Sequence, residues 1–168
     1  MTSTIRRAMA CTVILLLLAA LPCWSLTNLV VNPSMENEDG DGVADGWERD
    51  LRVDQGADGE FAIDADIARS GTSQRIDHTS ERGWIRISQS RIDARPDSYY
   101  RADVWVRATG SWSIILYEYY PVRDEWITNR LIESGDTGGE WRHVSGVIST
   151  EEGVSRLKLS LISDGRGS

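Results

Sequence analysis

An acidic stretch near the start of the chain has the spacing of a calcium-binding loop. From position 37 to position 48 the sequence reads NEDGDGVADGWE. Oxygen-bearing side chains stand at the first, third, fifth, ninth and twelfth positions of this stretch: Asn37, Asp39, Asp41, Asp45 and Glu48. Gly42 is at the sixth position, where such a loop turns sharply. The pattern predicts a calcium site. A solvated acidic loop is the alternative, because the flanking segments lack the helices of an EF-hand.

Residues that could act as catalysts are few. The histidines are His78 and His143, and no Gly-x-Ser-x-Gly turn presents a nucleophile. Glu118, Asp124 and Glu125 lie close enough in sequence to supply the acid and base of a glycosidase. The chain contains so many carboxylates, however, that such a group arises by chance. We therefore predict a non-catalytic protein and keep a small polysaccharide-active enzyme as an alternative.

The N-terminal segment is typical of a secretory signal peptide. A basic pair, Arg6 and Arg7, precedes an apolar run from Ala8 to Leu21, and small residues follow up to Ser25. The apolar run is shorter than the roughly 20 residues that span a bilayer. This layout predicts cleavage after residue 25 and a secreted, extracellular domain. The periplasm and the cell surface are alternative locations. A retained membrane anchor is the alternative.

Composition limits the partners and the sources of stability of the domain of residues 26–168. The full chain of 168 residues carries 26 acidic against 18 basic residues and a net charge of −8. This balance excludes a nucleic-acid partner, because a phosphate polymer requires a basic surface. Both cysteines, Cys11 and Cys23, lie in the predicted signal peptide. The domain therefore has no disulfide and depends on its core, for which 40% hydrophobic residues suffice.

Alternation of apolar and polar residues predicts the elements that position these groups. Regular period-two patterns occur in four segments: Phe61–Ile67, Trp84–Gln89, Arg101–Ala108 and Arg156–Ile162. Less regular strand candidates are Thr72–Asp77, Ser113–Tyr120, Glu125–Ile132 and Trp141–Ser149. Glycine-rich turns separate the segments, and no helical periodicity follows the signal peptide. The sequence predicts an all-β fold, an antiparallel β-sandwich of the jelly-roll type.

The order of short motifs resembles a known family. The segment NLVVNPSMENEDGDGVADGW is similar to the opening of galactose-binding-like carbohydrate-binding modules, of the type grouped as families 4, 9 and 22. The corresponding residues are Asn32, Met35, Glu36, Gly46 and Trp47. ARSGTSQRI resembles the Ser-Gly-x-x-Ser segment of the family and places Ser70, Gly71 and Ser73. GWIRISQ, RPDSYYRADVWVRATG and GGEWRHVSGVIST then follow in the family order.

The resemblance implies a fold, an activity and a metal. It implies a galactose-binding-like jelly roll that binds a polysaccharide or oligosaccharide without catalysis and that is joined to a downstream glycoside hydrolase or lyase. It also implies a structural calcium held by Glu36, by backbone near Gly71 and by an Asp of a final strand. That strand has no counterpart before Ser168, so we expect a longer secreted polypeptide. The calcium assignment is divided between Glu36 with Gly71 and the acidic loop.

Aromatic and polar side chains opposite the predicted core residues are candidates for sugar binding. A flat aromatic ring can cover the apolar face of a sugar, while charged or amide groups pair with its hydroxyls. The candidates are Trp84, Arg86, Asp103, Trp105, Arg107, Tyr117, Tyr119 and Trp126. For Trp105 a core position is equally open, and Trp47 and Trp141 are assigned to the core. A structural or adhesion domain without a sugar ligand is the alternative function.

Overall fold

The computed structural model describes residues 27–36 and 40–165, without the side chains of residues 128 and 129. The predicted signal peptide lies outside these ranges. The strands of the described residues are β1 (Glu48–Leu51), β2 (Gly59–Asp64), β3 (Ser73–His78), β4 (Ile85–Asp93), β5 (Tyr99–Val106), β6 (Trp112–Tyr120), β7 (Glu125–Gly135), β8 (Arg142–Ser149) and β9 (Arg156–Ser163), with a 3₁₀ turn at Val53–Gln55. Within these ranges no helix is long and apolar enough to cross a membrane.

The strands form two layers. One layer is a five-stranded antiparallel sheet in the order β1-β4-β9-β6-β7. The other consists of two separate antiparallel pairs, β2-β3 and β5-β8. Apolar side chains of β2, β3 and β5 pack on residues of β4, β6 and β9, which places the core between the layers. The predicted antiparallel β-sandwich is confirmed.

The core follows the alternation of the sequence. Ile85 and Ile87 of β4 are buried, and Ile87 lies opposite Leu161 of β9, which in turn lies opposite Ile114 of β6. Leu161 packs against the apolar clusters beneath both strand pairs. Trp47 is buried as expected, whereas Trp141 is only half-buried.

Two local features differ from the sequence prediction. The strand predicted over Phe61–Ile67 ends at Asp64. The Asp64 carboxylate accepts hydrogen bonds from the N–H groups of Asp66 and Ile67, both at 2.9 Å, and this turn leaves Ile67 exposed. Strand β1 was not predicted, because its four residues do not alternate in polarity and are too few for the pattern to register.

Candidate functional site

The outward side of the five-stranded sheet gathers most of the predicted sugar-binding residues. Because Ile87, Leu161 and Ile114 face the core, the residues that alternate with them face away from it. We call this surface the outer sheet face. Its polar and aromatic members are Glu48, Asp50, Arg86, Ser88, Tyr117, Tyr119, Trp126, Arg156, Lys158 and Ser160, with Trp84 directly before β4.

An aromatic cluster occupies one end of the outer sheet face. The rings of Tyr119 and Trp126 lie 5.2 Å apart at an angle of 53°. The ammonium of Lys158 lies 5.7 Å from the Tyr117 ring and 5.9 Å from the Trp126 ring. The guanidinium of Arg156 lies 5.2 Å from the Tyr119 ring. Trp126 remains 37% exposed, so part of the cluster is open to a ligand.

Trp84 marks the other end of the same face. The guanidinium of Arg86 lies 4.6 Å from the Trp84 ring and that of Arg52 lies 5.5 Å from it. Arg86 also donates to the Asp50 carboxylate at 2.7 Å. Strand register places Trp84 and Tyr117 roughly 20 Å apart along the strand direction, at about 3.4 Å per residue. A chain of several sugar units can therefore reach from one aromatic end to the other.

The chemistry of this face suits a polyhydroxylated chain. Aromatic rings offer apolar platforms at both ends, and charged donors and acceptors lie between them. The Tyr119 hydroxyl donates a hydrogen bond to the Asp124 carboxylate, and this contact raises the pKa of the tyrosine. The small residues Ser88 and Ser160 are buried beneath the longer side chains. An extended chain could lie along the length of this face, between its two aromatic ends.

Three of the predicted sugar-binding residues lie on the opposite layer. Asp103 and Trp105 are on the outward side of β5, and Arg107 directly follows this strand. Strand β5 pairs with β8 and not with the five-stranded sheet. The guanidinium of Arg69 lies 3.7 Å from the centre of the Trp105 ring, and the ring of His143 lies 5.0 Å from it. Trp105 is nevertheless 40% exposed. The predicted set is thus divided between two faces that point in opposite directions.

Charged contacts already engage the polar members of this second group. Asp103 forms an ion pair with Arg101 and a hydrogen bond with the His143 imidazole. Although desolvation acts in the other direction, these partners hold the pKa of Asp103 below its usual range. Arg107 donates to the carbonyl of Gly139. These side chains are therefore less free to reorient toward a sugar.

A cavity of about 460 Å³ opens between β3 and β5. Its walls include Trp105 and Trp141, and its floor is formed by the core residues Ile87, Ile114 and Leu161. The walls also carry polar side chains, of which Asp64 and Arg75 form an ion pair with each other and Gln74 hydrogen-bonds to backbone groups. The geometry therefore favours the outer sheet face over this cavity as a sugar site.

The carboxylates considered for catalysis do not face a common space. Glu118 lies on the inward side of β6 and is fully buried. Its carboxylate accepts the N–H of Glu151 at 3.3 Å and lies 3.6 Å from the Arg130 guanidinium. By contrast, Asp124 is exposed in the turn between β6 and β7, and Glu125 is exposed at the start of β7. This arrangement does not support the glycosidase alternative.

The two histidines are held by structural contacts. Buried His78 accepts the Gly165 N–H at Nδ1, which leaves Nε2 as the protonated nitrogen that faces Ser80 at 3.1 Å. His143 lies on the opposite layer beside Trp105. Neither imidazole lies on the outer sheet face.

The predicted calcium ligands are found in separate places. Glu36 lies next to Gly71, where a Cβ would lie 2.9 Å from the Glu36 carboxylate oxygen. Asp41 accepts the N–H of Val43 at 2.9 Å, and Glu48 accepts the Ser90 hydroxyl at 2.7 Å on the outer sheet face. Asp45 is exposed, and Asn37 and Asp39 lie outside the described residues.

Within residues 27–36 and 40–165, no three carboxylate, imidazole or thiol groups converge as metal ligands. The contact between Glu36 and Gly71 matches the pair that the family resemblance implies for calcium. In the acidic loop, Glu48 accepts a hydrogen bond from the Ser90 hydroxyl. Both predicted calcium sites, at Glu36 with Gly71 and in the acidic loop, therefore stay predictions.

The sequence prediction omitted several members of the outer sheet face. Both Lys158 and Arg156 lie in the predicted strand Arg156–Ile162, where Lys158 alternates with the leucines, but neither was assigned a role. Their alternation with Leu157 and Leu159 already indicated an outward orientation. Asp50 could not be found, because β1 was not predicted and its pairing with Arg86 crosses 36 positions of sequence.

Comparison with known proteins identifies the fold. No family model and no curated protein sequence matches the chain. Among solved structures, "Family 16 Carbohydrate Binding Module-2" superposes with a TM-score of 0.55 at 17% identity, over 83% of this chain and 90% of that one. The CBM22-1 xylan-binding domain of Paenibacillus barcinonensis Xyn10C gives a TM-score of 0.50 at 16% identity, over 79% and 88%. This chain has the β-sandwich fold of carbohydrate-binding modules.

Larger proteins also contain this carbohydrate-binding-module fold. The N-terminal endo-1,4-β-D-xylanase 10B of Clostridium thermocellum, seen as CBM22-1 and GH10 modules with xylohexaose, gives a TM-score of 0.56 at 16% identity. The match covers 73% of this chain and 24% of that one. The enzymatically active domain of tailspike protein 4 from bacteriophage CBA120 gives a TM-score of 0.55 at 16% identity, over 83% and 20%. The chain thus spans about a quarter or less of these two structures.

Proposed function

We propose that this chain is a non-catalytic carbohydrate-binding module that binds a polysaccharide along the outer sheet face. The observation that carries the proposal is the placement of aromatic rings at both ends of one sheet face, with charged hydrogen-bonding groups between them. A structural or adhesion domain has no need for partly exposed Trp126 beside Tyr117 and Tyr119. The fold shared with carbohydrate-binding modules supports the same function.

Affinity electrophoresis tests the proposal across several classes of polysaccharide. Native gels cast with soluble xylan, β-glucan, mannan, glucuronoxylan or pectin should retard the protein in at least one case. An open face leaves much of the sugar hydrated, so we expect a Kd between about 10 μM and 1 mM. Alanine at Tyr117 or at Trp126 should weaken binding about fivefold or more, because each removes an aromatic platform worth roughly 1 kcal/mol or more.

A matched control lies on the opposite layer. Tyr99 of β5 is 81% exposed, and its substitution by alanine should leave retardation unchanged. Trp105→Ala tests whether the second group, with Asp103 and Arg107, contributes to binding. The outer sheet face is the wrong surface if Trp105→Ala abolishes retardation while Tyr117→Ala does not. If no polysaccharide retards the wild-type protein, the structural or adhesion function gains support.

We extend the proposal to the setting of the domain. Export by the N-terminal segment, a structural calcium at Glu36 and Gly71, and attachment to a catalytic domain in the same polypeptide are its further parts. The xylanase with CBM22-1 and GH10 modules gives a precedent for the last of these in another protein. Detection of the processed domain in culture medium, with its N-terminus near residue 26, would test export.

A further inference from the structure

Lys158 is the only lysine of the chain, and it occupies the middle of the aromatic cluster. Its ammonium lies within 6 Å of both the Tyr117 and the Trp126 rings. The side chain is half-buried, and this burial, reinforced by the nearby positive charge of Arg86, lowers the pKa of Lys158. The cation is therefore held at a site where its solvation by water is incomplete.

No carboxylate of the described residues forms an ion pair with Lys158. The acidic groups nearest to it on the sheet are already engaged, since Asp50 pairs with Arg86 and Glu48 accepts the Ser90 hydroxyl. Asp124, near the other edge of the cluster, accepts the Tyr119 hydroxyl. Asp50 and Glu48 favour the charged lysine only in part, because burial and Arg86 outweigh them.

We propose that the polysaccharide bound on the outer sheet face carries uronic-acid residues and that Lys158 binds the carboxylate of one of them. This inference rests on the proposed function of the face. A carboxylate accepts a charge-assisted hydrogen bond from the ammonium and supplies the missing counter-charge. The same sugar ring can stack on Tyr117 or Trp126, since both rings lie beside the ammonium.

The net charge of the protein restricts which acidic polysaccharides it can bind. The whole protein carries a net charge of −8, so an uninterrupted polyanion is repelled over the distance of the Debye length. Lys158 is a single ammonium group without a carboxylate partner among the described residues, and it fits one carboxylate among neutral sugars. We therefore expect a largely neutral backbone with sparse acidic side groups, as in glucuronoxylan, rather than polygalacturonate.

Paired polymers test the inference. Glucuronoxylan is compared with the same preparation after reduction of its carboxyl groups to alcohols, and polygalacturonate serves as the dense polyanion. Wild-type protein should bind the acidic glucuronoxylan about tenfold more tightly than the reduced form. Lys158→Met, which keeps the length of the side chain without its charge, should bind both forms equally. Arg95→Met removes a positive charge from the exposed loop between β4 and β5 and should keep the tenfold preference.

The single lysine also gives a direct spectroscopic readout. Reductive methylation with ¹³C leaves the charge in place and labels only Lys158 and the N-terminal amine. An acidic oligosaccharide from glucuronoxylan should raise the pKa measured for the labelled side chain, whereas the reduced oligosaccharide should not. A merely structural lysine would show no such difference.

The outcomes separate the inference from the proposed function. Equal binding of the acidic and reduced polymers by wild type overturns the carboxylate inference and leaves sugar binding intact. A preference that survives in Lys158→Met assigns the carboxylate to another residue and overturns the role of Lys158. Tighter binding of polygalacturonate than of glucuronoxylan overturns the sparse-acid expectation. If no polymer of either kind is bound, both the inference and the proposed function fail.

Discussion

Gln89 joins the N-terminal segment to the five-stranded sheet, and its replacement gives a quantitative test of the packing that supports the site. The residue lies on the inward side of β4 and is only 5% exposed. Its amide accepts the N–H of Val31 at 2.9 Å and donates to the carbonyls of Val31 and Gly46 at 3.1 and 3.0 Å. One side chain thus fixes two segments that precede β1. Gln89→Met removes these hydrogen bonds while keeping a similar volume.

The expected loss of stability follows from the three hydrogen bonds. Each contributes about 1 kcal/mol net, but Val31 and Gly46 lie near the surface, where water replaces part of the loss. A destabilisation of about 2 kcal/mol results. For a domain of this length the entropy of unfolding is roughly 0.3 kcal/mol/K, which converts the loss into a fall in Tm of about 7 °C.

Thermal unfolding followed by tryptophan fluorescence measures this change. Gln55→Met is the control, because Gln55 is an exposed glutamine in the 3₁₀ turn and its replacement should shift Tm by less than about 1 °C. Retardation by polysaccharide at low temperature should be unchanged in Gln89→Met, since the side chain faces the core. A Tm of Gln89→Met within about 2 °C of wild type, or an equal fall in the control, would refute the conclusion that Gln89 fixes the N-terminal segment to the sheet.

Two further predictions concern calcium and acid. If calcium binds at Glu36, chelation should lower Tm and added calcium should restore it. Glu36→Gln should abolish this response, whereas Asp41→Ala should retain it. An identical Tm with and without chelator would exclude both sites. The pKa of the Asp64 carboxyl is held below its usual range by the N–H of Ile67 and by further hydrogen-bond partners. The carboxylate therefore stabilises the folded protein above the unfolded-state pKa of about 4, and this stabilisation is lost as the pH falls toward the folded-state pKa. Asp64→Asn replaces the carboxylate by an amide, whose oxygen still accepts hydrogen bonds but does not titrate, and it should flatten that acid dependence. Urea midpoints between about pH 6 and pH 3 measure the effect, and an unchanged slope would remove Asp64 from the explanation.

Alternation in the sequence predicted orientation better than it predicted position. It placed Arg86, Tyr117 and Lys158 opposite core residues, and all three face outward. The same reasoning applied equally to Trp105, which also faces outward but on the other layer. A period of two residues reports only which side of its own strand a residue occupies. It cannot report which sheet the strand joins.

The acidic loop shows a second limit of sequence reasoning. Its spacing predicts a calcium loop and stays a prediction, while the structure shows that Glu48 begins β1 and that its carboxylate contacts Ser90 of the neighbouring strand. A linear motif gives the order of possible ligands, whereas strand pairing decides which oxygens are free. The resemblance to carbohydrate-binding modules placed Glu36 and Gly71 together, and this contact is observed.

The amino-acid sequence by itself determined the all-β class, most strand positions and the side of each strand that packs in the core, because these depend on local polarity and turn residues. The tertiary structure alone decided which outward residues share a surface. Asp50 meets Arg86, and Tyr117 meets Lys158, only because β1, β4, β9 and β6 are adjacent in the sheet. Strand order depends on how distant apolar faces pack together, and no local pattern carries that information.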